Sequence, residues 1–219
     1  MRRRGWVQWA GLGAILYVVL FIPGAILTFG AGQPDSDAAP GVVFRYYHDS
    51  GHRDRVGVGW ILIVLGLFFF LWFLAALRHV LSRLDVEGFL TTLALVGGAV
   101  YAALAFASVS VNMAIKTMSD DTFHDLVYPP LIHAADDTAY VLHSTGGIAA
   151  GTMMIAASLV ALRSRAVPNW LAWIGVVAGI IALFSLLFFP QILIALWLLA
   201  AGALVFLSAQ PQGAHIGPR

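Results

Sequence analysis

Residues 136–163 read DDTAYVLHSTGGIAAGTMMIAASLVALR, with two aspartates at one end, an arginine at the other and no charged residue between them. A helix needs roughly 20 mostly apolar residues, each adding about 1.5 Å, to cross the hydrocarbon layer of a bilayer. This stretch is long enough, and its charges sit only where water would be. The same form recurs along the chain. The predicted spans fall at about 6 to 29, 57 to 82, 88 to 112, 137 to 162, 168 to 188 and 191 to 208, each bounded by charge, proline or a polar cluster. The last division is made at Phe189-Pro190-Gln191, because proline has no amide hydrogen to give to a continuing helix. A tight hairpin is expected there.

Composition agrees with this reading. Of 219 residues, 60% are hydrophobic and 11% charged, and mean hydropathy is +0.87, whereas about a quarter of the residues in a soluble protein carry charge. The fold class expected is all-α: a polytopic membrane helix bundle of about six transmembrane helices, forming one membrane-embedded domain over residues 1–219. A net charge of +1 with no clustered basic face argues against nucleic acid as a partner and leaves the lipid bilayer as the first one. The absence of cysteine excludes disulfides, thiolate metal sites, iron–sulfur clusters and cysteine nucleophiles. Met1-Arg2-Arg3-Arg4 opens like a secretory signal, but the apolar run to about Phe29 exceeds the roughly 7–15 residues of a signal core, so an uncleaved first span is expected.

Arg2, Arg3, Arg4, Arg78, Arg83, Arg163 and Arg165 fall at one set of span ends, which the positive-inside rule makes cytoplasmic, together with both termini and a tail over 209–219. The opposite ends carry Asp35, Asp37, Asp49, Asp54, Asp120, Asp121, Asp125, Asp136 and Asp137, leaving Asp85 and Glu87 inside. Two extracytoplasmic segments, about 31–56 and 112–136, are long enough for structure of their own. Gly41 to His48 mixes apolar and aromatic residues, as a short helix lying on the membrane surface would. Ser119 or Asp120 is placed to cap a second interfacial helix carrying Phe123, Leu126 and Val127. Trp6, Trp9, Trp60, Trp170 and Trp173 sit near span ends, as interfacial anchors do.

At 100° per residue, Asp136, Tyr140, His143, Gly147, Gly151, Met154 and Ser158 form one stripe of the fourth span, polar toward the aspartate end and small toward the arginines. Gly147 and Gly151 have the small-xxx-small spacing that admits a close neighbour. The third span carries a matching stripe of Ala94, Gly97, Tyr101, Ala105, Ser108 and Asn112. The two stripes predict a shared polar pocket in the outer half of the bundle, with His143, Tyr140, Asp136, Ser108, Asn112, Tyr101 and Lys116 as ligand-pocket candidates. An imidazole inside a membrane is costly and is a functional candidate by default. The plainer reading is a neutral His143 bonded to Tyr101, Ser108 or a carbonyl, joining two helices. Lys116, the only lysine, reads either as a rim partner of Asp136 or Asp137 or as a contact for an anionic ligand.

His48, His52, His124 and His133 share the acidic side, and imidazole with carboxylate suits zinc or copper. His48 and His52 have the i, i+4 spacing of two ligands on one helix face, although Ser50-Gly51 also reads as a turn between solvated histidines. Asp136-Asp137 reads as helix-start capping rather than a catalytic pair, because adjacent side chains diverge by about 100°. No nucleophile–base–orienter set is visible, and His79 lies at the wrong end to join His143 as a haem ligand.

Tyr46-Tyr47-His48 with His52-Arg53, Phe73-Leu74-Ala75-Ala76-Leu77-Arg78, and Val167-Pro168-Asn169-Trp170-Leu171-Ala172-Trp173-Ile174-Gly175 resemble uncharacterised actinobacterial multi-helix integral membrane proteins, a domain-of-unknown-function family with a Pro-x-Trp-Leu-x-x-x-Gly motif. The resemblance implies a multi-pass protein of a bacterial cell membrane and assigns no residue a role. The leading functional expectation is a non-catalytic protein binding a small amphiphilic ligand or a membrane protein partner. An outer-face metal-dependent membrane hydrolase and a small-solute or proton-coupled transporter are the alternatives.

Overall fold

The computed structural model describes residues 5–30, 33–35, 38–121, 124, 126–187 and 189–208. Arg2, Arg3, Arg4, Asp37, Phe123, Asp125 and the tail 209–219 lie outside the described residues. The chain is a membrane helix bundle of α1 (Trp6–Phe29), α2 (Pro40–His48), α3 (Ser50–Leu81), α4 (Phe89–Ser119), α5 (Pro129–Ser164), α6 (Asn169–Ala182) and α7 (Pro190–Ser208), with a 3-10 turn at Ser185–Leu187. Among the described residues, α1, α3, α4, α5 and α7 are long and apolar enough to cross a membrane. The predicted fifth span ends early: α6 has 14 residues, about 21 Å against the roughly 30 Å hydrocarbon layer. The 3-10 turn and the Pro190 start of α7 close the hairpin expected at that proline.

Hydropathy placed α1, α7 and the arginine-side ends of α3, α4 and α5 to within two residues but missed the aspartate-side ends of those three helices. α3 starts at Ser50 rather than 57, α4 continues to Ser119 rather than 112, and α5 begins at Pro129 rather than 137. A helix satisfies its own backbone wherever it runs, so it does not stop where the lipid stops. Asp49 fixes the first of these boundaries: its side chain accepts from the amide of His52 at 3.1 Å, ending α2 and capping α3 at once. Pro129 opens α5 with a residue that needs no amide partner. Asp136 and Asp137 are therefore two turns inside α5 and cap nothing. At the arginine end, Gly88 takes the left-handed conformation (φ 73°) that starts α4, and Asp85 accepts the Thr91 amide at 2.8 Å.

Glycines decide which helices meet. α1 and α3 cross so closely that a Cβ on Gly24 would lie 2.9 Å from the Gly59 carbonyl oxygen. α4 meets α5 at Gly97, where a Cβ would lie 2.7 Å from the Ala149 oxygen and 2.8 Å from the Met153 nitrogen. Gly147 and Gly151 do admit a neighbour, but it comes from the C-terminal hairpin: Gly151 faces the Gly179 carbonyl of α6, and Gly147 faces Ser185. The α5 stripe thus turns one way and its α4-facing side another, so the stripes on α4 and α5 do not meet along their length.

Inside the bundle, Tyr17 of α1 and Tyr101 of α4 bond hydroxyl to hydroxyl, both fully enclosed, with Phe70 of α3 packed against each ring at 5.4 and 5.3 Å. α2 is the short helix expected over Gly41–His48, with Val42 and Phe44 exposed on one side and an inner face turned to the bundle. Val43, Tyr46 and Tyr47 are buried with Ile115 of α4 and Ile132 of α5 in a second, smaller core. Residues 126–128, expected to be helical, are not in a helix. Trp6, Trp9, Trp170 and Trp173 are exposed near the starts of α1 and α6, whereas Trp60 packs against the main core.

Candidate functional site

α1 packs on α3 and α5 packs on α4, but α1 and α5 themselves do not close on one another, and a cavity of about 520 Å³ lies between them. α2 borders it near the aspartate end through Val43 and Tyr47, and the α6–α7 hairpin borders it deeper through Ser185 and Gln191. From His133 to Ser144 it follows α5 for eleven residues, or about 16 Å. Its two sides differ. The α1 side is Phe21, Ala25, Ile26 and Phe29, while the α4–α5 side presents Ser108, Asn112, Asp136, Tyr140, His143 and Ser144.

Five of the seven pocket candidates, Asp136, Tyr140, His143, Ser108 and Asn112, line this one cavity. Ser108 donates to the Ala139 carbonyl of α5 at 2.7 Å, and Asn112 donates to the Ser108 carbonyl at 3.2 Å, so both are held in place by the α4–α5 seam. The Tyr140 hydroxyl donates to the Leu186 carbonyl and ties α5 to the 3-10 turn. Among the described residues, His143 has no hydrogen bond to Tyr101, Ser108 or a carbonyl. Its ring stacks on Phe21 of α1 at 5.7 Å and 13°, spanning the gap between the unclosed helices, and Gln191 is its polar neighbour.

Two candidates lie elsewhere. Tyr101 lies about two helical turns deeper than Ser108, and the closely packed α1–α3 pair delivers Tyr17 to its hydroxyl, so it belongs to the sealed core. Lys116 projects from the other side of α4 onto α3, its Cε and Nζ 3.1 and 3.3 Å from where a Gly57 Cβ would stand. Among the described residues it makes no ion pair with Asp136 or Asp137. The cation that organises this end is Arg53, which donates to the carbonyls of Tyr47 and His48 and pairs with Asp121 at 3.3 Å. It joins α2, α3 and the end of α4.

The histidines are dispersed. The chain breaks at Asp49 between α2 and α3, so His48 and His52 do not share a helix face. His48 stacks on Phe44 at 5.3 Å and His52 on Tyr46 at 4.3 Å. His133 lines the cavity one turn from Asp136, and His124 is exposed beyond α4. Among the described residues, no group of three or more His, Asp or Glu side chains gathers as a metal ion would require.

The polar balance of the cavity is uneven. Burial, and then the neighbouring Asp136 carboxylate, hold the Tyr47 phenol well above its ordinary range, so it stays protonated and donates to Asp136 Oδ2 at 3.4 Å. Among the described residues, Asp136 Oδ1 and Gln191 Nε2 are enclosed with no partner at hydrogen-bond distance, although the Gln33 side chain neighbours Asp136 and the His143 ring neighbours Gln191. Sequence reasoning missed Tyr47, Gln191 and the whole α1 wall. Gln191 had appeared only as part of a turn, and Phe21 to Phe29 carry the same apolar pattern as a lipid-facing stripe. No family model, curated protein or solved structure matches the chain, so the functional reading rests on this geometry.

Proposed function

We propose that this multi-pass membrane protein binds a small amphiphilic molecule in the cavity between α1 and α5 and performs no chemistry on it. One observation carries the reading: the cavity has an apolar wall on α1 and a polar stripe on α5, and among the described residues Asp136 Oδ1 and Gln191 Nε2 are enclosed there with no partner at hydrogen-bond distance. An enclosed polar group without a partner costs roughly 1–3 kcal/mol, which a ligand that supplies the missing partner relieves. The volume falls within the roughly 300–1,000 Å³ of small-molecule sites, and a mostly apolar lining with few polar groups is their usual composition. In this reading the aspartate end faces outward from a cell membrane, because seven of the eleven arginines (Arg2, Arg3, Arg4, Arg78, Arg83, Arg163 and Arg165) gather at the other end.

The test is to purify the protein into lipid nanodiscs, extract it and survey the small molecules that accompany it by mass spectrometry. A discrete amphiphile is expected with the wild type and is expected to be missing from Ala25→Phe, whose ring would fill the cavity from the α1 side. Identical extracts from the two would count against the site. A stoichiometric transition metal in the wild type would instead favour the hydrolase.

A further inference from the structure

The charge of the cavity indicates which amphiphile it takes. We propose, on the basis of the binding reading above, that the ligand is an amine whose cationic nitrogen pairs with Asp136 while its apolar body lies along α1. No lysine or arginine is among the residues lining the cavity, whereas Asp136 and Asp137 both are. The Asp136 carboxylate has room for a further donor: it accepts a long bond from Tyr47, the Gln33 side chain is a second polar neighbour, and among the described residues its Oδ1 is enclosed with no partner at hydrogen-bond distance. An ionised carboxylate offers about four lone-pair sites.

The basic side chain beside Asp136 in the cavity is the His133 imidazole, while Arg53 and Lys116 are directed elsewhere. Arg53 is held by two carbonyls and Asp121, and Lys116 rests on α3 at Gly57. A carboxylate placed beside an oily wall with no arginine or lysine among the described lining residues favours a ligand that brings its own positive charge, since a charge removed from water must be paired. The rings of Phe29 and Tyr47, which line the same space, add surfaces that attract an ammonium group. A fatty acid or a phosphate-bearing amphiphile would set a second anion against Asp136 and is disfavoured by the same argument.

Octylamine, octanol and octanoate share a chain length and differ in head group, so titrating each into protein held in amphipol separates charge from apolar fit. Octylamine is expected to bind the wild type at least tenfold more tightly than octanol, with octanoate weakest. In Asp136→Asn the octylamine-to-octanol ratio should fall to about one. Equal binding of octylamine and octanol to the wild type would overturn the amine assignment while leaving the cavity reading intact. A ratio that survives Asp136→Asn would do the same. If none of the three binds, the cavity reading fails as well. The wild-type ratio decides the matter by itself should the variant not fold.

Discussion

Tyr17 and Tyr101 bury two hydroxyls at the crossing of α1, α3 and α4, and each hydroxyl is the partner of the other in a space filled by Phe70 and Phe73. Between α1 and α5, the chain also encloses polar atoms, on Asp136 and Gln191, but among the described residues leaves them with no partner at hydrogen-bond distance beside a cavity. Both places face the same expense, since hydrocarbon offers no hydrogen bonds. The first place meets it internally and becomes a seam. The second leaves it for something that enters, so the difference separates a structural polar pair from a binding one.

The largest effect should come from forcing the sealed region apart. Gly97→Leu drives a side chain into the backbone of Ala149 and Met153, where nothing can swing aside. A loss near the upper end of the roughly 1–3 kcal/mol that overpacking costs is expected, seen as a lowered melting temperature and a broadened size-exclusion peak. Ala25→Leu, which grows into the cavity, should shift stability by no more than about 0.5 kcal/mol. Equal losses would mean that the cavity is not open space.

Next in size is the tyrosine pair. Tyr17→Phe and Tyr101→Phe each strand one enclosed hydroxyl and should cost about 1–2 kcal/mol. The double variant should cost less than the sum, with a coupling of about 1 kcal/mol in a denaturant-based cycle. Additive losses would show that the two hydroxyls do not depend on each other.

Asp136→Asn should behave in the opposite way. It removes a charge that lacks a full set of partners, so the melting temperature of the ligand-free protein should stay level or rise. A loss above about 1 kcal/mol would make Asp136 a structural group like Tyr101. The smallest perturbation tests which way the two ends face. Because the chain has no cysteine, single substitutions report cleanly: exposed Asp54→Cys should react with an impermeant maleimide on intact cells, and exposed Glu87→Cys only after permeabilisation, with stability unchanged in both. The reverse pattern would invert the topology and move the cavity mouth to the cytoplasmic side.

Much of this bundle is legible before folding because transfer of a side chain into lipid is a local property. The run from Thr138 to Leu162 has to be a span whatever surrounds it, and seven arginines gather at one set of span ends while nine of the ten aspartates fall at the other. The polar stripe from Asp136 to His143 is likewise local, a consequence of helical spacing. What that stripe faces is not. In lipid an apolar helix face gains little by choosing another helix over the surrounding chains, so hydropathy cannot distinguish a lipid-facing stripe from a cavity wall. The choice is made by shape, at glycines such as Gly24, Gly59 and Gly97, whose partners lie far away in sequence. Those crossings bring Tyr17 to Tyr101, hold Lys116 against α3, and leave α1 and α5 apart with Phe21 stacked on His143 across the gap. The sequence by itself determined the oily middle of each span and the polar stripe. The tertiary structure alone decided which helix stands opposite that stripe, because backbone fit between distant residues, rather than oiliness, selects neighbours inside a membrane.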